Sequence, residues 1–354
     1  MRTFSLAELE AIRLLLRGGS VIDWHRLNFA DQAGAQSLLQ ALVIDLEHPT
    51  DAARAEAVKA AAIHYLRRHF AFPVPGPVAR ASLPDLLLLA SGKGHRQLCA
   101  CSILKVMHII HHLEARELAF LLPASDREIF HLVEQKVYRV IGKMLADGLP
   151  IVEFIGGRKD VESLYTKLLS KPRNIAAQIY DKLRFRLVTR SADDVFLILR
   201  ELTAHLFPFN YVIPGESKNT LVPFRSHCEA RPELQALLPR LQIADDLEAE
   251  QGIDDNNFTA PSYRVAHFVA DIPVRLPDTL LQVAPAPAQR LGRVIFALAE
   301  FQILDEESEH ANAIGDASHD AYKERQKQAV MRRLKLGLSA ERKARRLAPK
   351  KEPL

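Results

Sequence analysis

The chain has 354 residues, 48% of them hydrophobic and 25% charged, with three cysteines and a formal charge of +4. That length allows about two domains with buried cores, the odd cysteine count excludes a disulfide framework, and no unbroken apolar run approaches the ~18 residues of a membrane span. Charge is uneven, because residues 323–354 hold twelve Lys/Arg against three Glu, a basic tail on a mildly acidic body.

Glutamates enter residues 1–19 before an apolar stretch long enough for a secretion signal, so a soluble cytoplasmic protein with no membrane partner is expected. Helical apolar spacing predicts a helix over 6–17, stopped by Gly18-Gly19. An alanine-rich helix over 51–70 precedes the turn-rich 73–77, and two long helices over 98–122 and 126–145 are separated by Pro123-Ala-Ser125, with Ser125 or Asp126 as cap. After Gly148 the pattern changes. A short apolar run at 150–155 ends at Gly156-Gly157, and 160–169 returns to helical spacing. Residues 177–189 read as a strand with Leu183, Phe185 and Leu187 alternating against Lys182, Arg184 and Arg186. A helix over 193–207, a strand over 209–213 and a weakly patterned insertion near 215–260 follow. Strands at 263–274 and 294–304 flank the proline-rich 277–287, and a helix over 316–336 runs into the tail. The expected fold is α+β: a helical N-terminal domain (1–150), a mixed β-sheet flanked by helices (151–325), and a basic tail (326–354).

Three groups of residues could carry chemistry. Glu300 and Gln302 share one face of an apolar strand, with Ala299, Phe301 and Ile303 on the other. A carboxylate there is costly to bury unless a metal or cation meets it. Asp181 sits similarly beside Arg184 and Arg186, and two carboxylates from separate strands can hold Mg²⁺ jointly; salt bridges at a sheet rim explain the same residues. Lys159, Ser163 and Lys167 fall at i, i+4 and i+8 of a predicted helix, either a polyphosphate clamp or a solvated basic face. Tyr263 and His267, four apart on a predicted strand, would lie on one side, where a ring could stack on a base. His95, Cys99, Cys101, His108, His111 and His112 crowd another helix, but Cys99 and Cys101 are two apart and point to different faces. Structural histidines and buried thiols are therefore expected over a zinc site.

Taken together, the pieces resemble the synthetase domain of the RelA/SpoT family, the alarmone synthetases. Lys159, Ser163, Tyr165 and Lys167 match its Lys-x-x-x-Ser-x-Tyr-x-Lys motif, and Asp181 and Arg186 its Asp-x-x-x-x-Arg strand. Tyr263-Arg-Val-Ala-His267 is similar to Tyr-x-Ser-x-His, Glu300-Phe-Gln302-Ile303 matches Glu-x-Gln-Ile, and the run from His310 to Lys323 matches the segment that follows. The resemblance implies transfer of pyrophosphate from ATP to the 3′-hydroxyl of GDP or GTP. It implies Asp181 and Glu300 as Mg²⁺ ligands, with Glu300 and Gln302 also catalytic, and Lys159, Ser163, Lys167, Arg186, Lys218, Tyr263 and His267 as nucleotide-binding residues. The chain departs from the pattern at Gly157, with Arg158 one place displaced, and at Asn210, Val265 and Leu304-Asp305. A related acceptor such as a tRNA end, or an inactive nucleotide- or RNA-binding regulator, is the alternative. The tail is a candidate contact for RNA or a ribosome, with a solvated helix end as the plainer reading. Homo-oligomerisation stays open.

Overall fold

The computed structural model describes residues 3–18, 27–170, 182–241 and 260–347, with 335–347 as backbone alone. Asp181, the first part of the strand expected from 177, and residues 242–259 of the expected insertion lie outside the described residues. Helices α1 (Leu6–Arg17), α2 (Gln32–Ala41), α3 (Pro49–Phe70), α4 (Gly76–Arg80), α5 (Leu83–Ser91), α6 (His95–Leu121) and α7 (Asp126–Ala146) come first. They are followed by β1 (Ile151–Arg158), α8 (Val161–Ser170), β2 (Leu183–Thr189), α9 (Asp194–His205) and β3 (Lys218–Asn219). The chain continues through α10 (Phe224–Glu229), α11 (Pro232–Gln235), β4 (Ala266–Arg275), α12 (Asp278–Val283), β5 (Val294–Asp305), α13 (Glu306–Asn312) and α14 (His319–Leu347). The fold is α+β, as expected.

Local chemistry accounts for the boundaries. Ser5 and Ser125 form capping boxes with Glu8 and Glu128, so α1 and α7 start where a hydroxyl meets the free N–H groups of the first turn. The prolines of 73–77 were expected to make only a turn, yet α4 begins among them, and α12 starts directly after Pro277. Proline suits a first helical turn, where its missing N–H costs nothing. The strand expected at 209–213 is instead a single 3₁₀ turn over Phe209–Tyr211, closed by Tyr211 N–H on Pro208 O at 3.0 Å. Only Val212 and Ile213 reach the sheet, against Ala270 and Val269.

The sheet order is β1-β2-β5-β4-β3, with β2 and β5 parallel and the other pairs antiparallel. One face is apolar. Phe154, Phe185, Phe301 and Phe268 form a row of ring contacts across four strands, with successive centroids 6.2, 5.4 and 5.3 Å apart. Onto this face pack α1, α7, α9 and the end of α6, through Leu9, Ile12, Leu118, Val137, Phe196 and Leu199. A second cluster, including Ala62, Leu86, Ala100, Ile103 and Met107, gathers α2 to α5 around the first part of α6. Residues of the first 150 thus divide between two cores, and α6 runs through both. Its 27 residues make it long and apolar enough to cross a membrane by composition, but Cys99, Ala100, Ile103 and Leu118 are buried inside the protein.

Lys136 of α7 fastens this packing. Its Nζ donates to Leu206 O, at the C-terminus of α9, and to Pro273 O of β4, at 2.8 and 2.7 Å. Burial pulls its pKa down to about 7. Replacing it by Met strips two carbonyls of their donor. Lys136→Met is expected to lower unfolding free energy by about 2 kcal/mol in urea titrations; an unchanged midpoint would contradict this account.

Candidate functional site

Period-2 alternation places a polar set on the other sheet face. Cross-strand registers align Ile155, Arg186, Gln302, His267 and Lys218 in one row, and Gly157, Arg184, Glu300 and Val269 in the next. Glu300 lies at the centre, 4% exposed on the middle strand. Its Oε1 accepts from Gln302 Nε2 at 2.7 Å, lies 3.2 Å from His267 Nε2 and accepts from Arg184 Nη2 at 3.4 Å. Its Oε2 accepts from Arg184 Nε at 3.3 Å. Burial alone would raise the carboxyl's pKa, but the His267 hydrogen bond and the charges of Arg184 and Lys159 hold it well below the usual carboxylate range. The two readings of Glu300 therefore meet in one geometry. The carboxylate is salt-bridged, and it is also held ionised on a mostly cationic surface.

The surrounding charge is mostly positive. Arg186 pairs with Glu309 of α13. Tyr263 lies within the fields of Arg186, Arg184, Glu300 and Glu309, with its hydroxyl pKa raised chiefly by burial. His319 of α14 is held below its ordinary pKa first by burial and then by Lys323, Arg184 and Arg186. Arg184 is not among the site residues expected from the sequence, yet its guanidinium meets the Glu300 carboxylate. Its alternation with Arg186 already put both on one strand face, but only the parallel register shows that Arg184 is the one opposite Glu300.

Two expected placements change. Lys159 does not belong to the helix carrying Ser163 and Lys167. Asp160 accepts from Ser163 N–H at 3.1 Å, so α8 starts at Val161, while Lys159 N–H donates to Lys182 O and prolongs the β1–β2 ladder. Ser163 and Lys167 stand on α8, which packs on α14. Tyr263 is likewise not in a strand, because β4 begins at Ala266. Arg158, the displaced motif arginine, turns to α7 and donates to both carboxylate oxygens of Glu134 at 2.9 and 2.8 Å. Lys218 is brought in by β3, whose approach loop is tied to α1. Gly215 N–H donates to Gly18 O and Ser217 Oγ to Leu15 O. Gly18 has φ 65°, and a Cβ there would come within 2.6 Å of Ser217 Cβ, so glycine serves both the backbone conformation and the close approach.

For a divalent cation the described residues offer Glu300. No cluster of three His, Cys, Asp or Glu able to hold a metal occurs among them. Mg²⁺ is commonly held by one or two carboxylates together with substrate phosphates and water. An ionised Glu300, three of whose four polar contacts fall on Oε1, fits that donor set.

No protein-family model matches the chain, and no curated protein matches it. Among solved structures it is similar to small alarmone synthetase 2 from Bacillus subtilis, at 18% identity and TM-score 0.30 over 59% of this chain and 96% of that one. It is similar to small alarmone synthetase 1 from Bacillus subtilis bound to pppGpp, at 15% identity and TM-score 0.32 over 66% and 99%. A GTP pyrophosphokinase family protein from Streptococcus pneumoniae matches at 15% identity and TM-score 0.29 over 62% and 93%.

Proposed function

We propose that this chain is an Mg²⁺-dependent pyrophosphokinase, moving the β,γ-pyrophosphate of ATP to the 3′-hydroxyl of GDP, GTP or a related acceptor. The observation that carries the reading is convergence. Lys159, Arg186, Tyr263, His267 and Gln302 come from separated sequence pieces, and they gather around the ionised carboxylate of Glu300 on a cationic sheet face.

In this reading Arg186, Lys159 and Lys167 bind the donor phosphates, Ser163 and Lys218 add polar contacts, Tyr263 stacks on the acceptor base, and His267 and Gln302 orient the acceptor. The 3′-oxygen bonds to the β-phosphorus, the bond from that phosphorus to the α,β-bridging oxygen breaks, and AMP leaves with the electron pair. Glu300 accepts the hydroxyl's hydrogen bond, and its proton as the new bond completes. A carboxylate with so low a pKa is a weak base, but a loose phosphoryl-transfer transition state demands little base strength. Held by Glu300 and Asp181, Mg²⁺ would neutralise phosphate charge.

A second reading, nucleotide binding without transfer, draws on Arg158 being committed to Glu134. Incubation with γ-labelled ATP, Mg²⁺ and, separately, GDP, GTP, other nucleotides and bulk tRNA decides between them. Bulk tRNA is included because of the twelve Lys/Arg from Lys323 onward. A labelled acceptor absent with Asp181→Asn is the expected result. Nucleotide affinity without product would favour the second reading.

A further inference from the structure

Tyr263 stands outside the strand, so sheet register does not fix it, and something else must. The backbone from residue 263 to 265 is held by the side chains of Asn312 and Thr220 together with two backbone partners. Asn312, the last residue of α13 and 4% exposed, accepts from Arg264 N–H through Oδ1 at 3.0 Å and donates from Nδ2 to Arg264 O at 2.8 Å. Thr220 Oγ1 donates to Tyr263 O at 2.8 Å and accepts from Val265 N–H at 3.0 Å, while Thr220 N–H donates to Val265 O at 2.9 Å. Tyr263 N–H closes on Ala260 O at 3.0 Å. Each backbone donor and acceptor of the three residues is thereby paired without a strand ladder.

The same short helix meets the rest of the site. Asp305 ends β5, the strand that carries Glu300 and Gln302, and its carboxylate accepts from Ser308 N–H at 2.9 Å to fix the start of α13. Glu309 pairs with Arg186. Thus α13 is joined to β5, to Arg186 and, through Asn312, to the segment bearing Tyr263.

We infer that Asn312 is a positioning residue that sets Tyr263 against Glu300 and Arg186, and so governs acceptor binding; this rests on the proposed transferase reading. Both ends of its amide are engaged, so neither an aliphatic residue nor a carboxylate reproduces it. A carboxylate keeps the acceptor for Arg264 N–H but sets an oxygen against Arg264 O.

The test compares the unaltered chain with Asn312→Ala and Asn312→Asp, the latter being closer in shape should the alanine variant fail to fold. In both, KM for the guanine acceptor is expected to rise about 10- to 100-fold, as for a misplaced contact, with KM for ATP essentially unchanged. Amide exchange at Arg264 is expected to accelerate in Asn312→Ala, which removes the acceptor for that N–H. Parallel rises in both KM values, or an unchanged acceptor KM, overturn the positioning role. Exchange at Arg264 in Asn312→Ala as slow as in the unaltered chain overturns the clamp itself. Absence of guanine-nucleotide binding and turnover in the unaltered chain overturns the transferase reading and the acceptor role with it, whereas the exchange measurement still judges the clamp.

Discussion

Glu300→Gln is expected to lower pyrophosphate transfer by roughly 10³-fold or more, equivalent to about 4 kcal/mol of barrier, while ATP binding and the fold persist. The substitution preserves shape and can keep a hydrogen bond to Gln302, but it removes the anion that Arg184, His267 and Lys159 face. Arg184 remains partly solvated, with its side chain 38% exposed, so losing its partner exposes no buried bare cation and stability should change little. Steady-state assays beside thermal melts provide the check. Turnover near that of the unaltered chain sinks the assignment of Glu300. Loss of both turnover and the melting transition would assign it to structure instead.

The second large effect is the loss of stability below neutral pH. His108, His111 and His112 of α6 lie over the same sheet face as Glu300, but at its other end, against Phe296 of β5 and Asp271 of β4. Tyr211 packs on His108 and His112, and Asn210 bonds His108. Charged neighbours complete the surroundings: Arg54 of α3, paired with Glu114, and Arg116 of α6. Burial first, and then neighbouring histidine or arginine charge, lowers His108 and His111 to about 4 and His112 to about 3. Burial raises Asp271 to about 7.

The histidines are neutral in the fold and protonate near 6.5 when unfolded. Between about pH 6.5 and 4 the unfolded chain therefore binds more of their protons, and stability falls with falling pH. Asp271 acts oppositely, because between about pH 4 and 7 the folded chain holds its extra proton. Three groups against one leave the acid loss dominant, at about 1.4 kcal/mol per unbalanced proton per pH unit. Lys136, at about 7 in the fold, adds a gain in stability with pH above 7. Urea titrations from about pH 5 to 8 should show this profile. His112→Phe keeps an aromatic ring between Tyr211 and Phe296 but cannot titrate, so it should flatten the acid limb by about one proton; an unaltered slope would refute the burial argument.

How much of this was legible in advance differs by element. Helices at 6–17 and 126–145 were readable because periodicity and Ser/Glu caps act within a few residues. The face sharing of Glu300 with Gln302, and of Arg184 with Arg186, follows from the two-residue period of a strand. The family-like motifs pointed to Lys159, Arg186, Tyr263, His267 and Glu300 because residue type and order are written in the chain. What failed also has causes. The helical placement of Lys159 lost to the Asp160 cap, and the strand at 209–213 lost to the turn after Pro208.

The sequence by itself determined the α+β class, the local helix starts and the alternation that separates an apolar sheet face from a charged one, since all of these depend on neighbours within a turn or a pleat. Only the tertiary structure decided that Arg184 is the cation opposite Glu300, that Asn312 and Thr220 hold Tyr263, and that three histidines of α6 cover the far end of the same face. Those pairings join residues tens to hundreds of positions apart. Strand order and register select them through long-range packing, which no local pattern records.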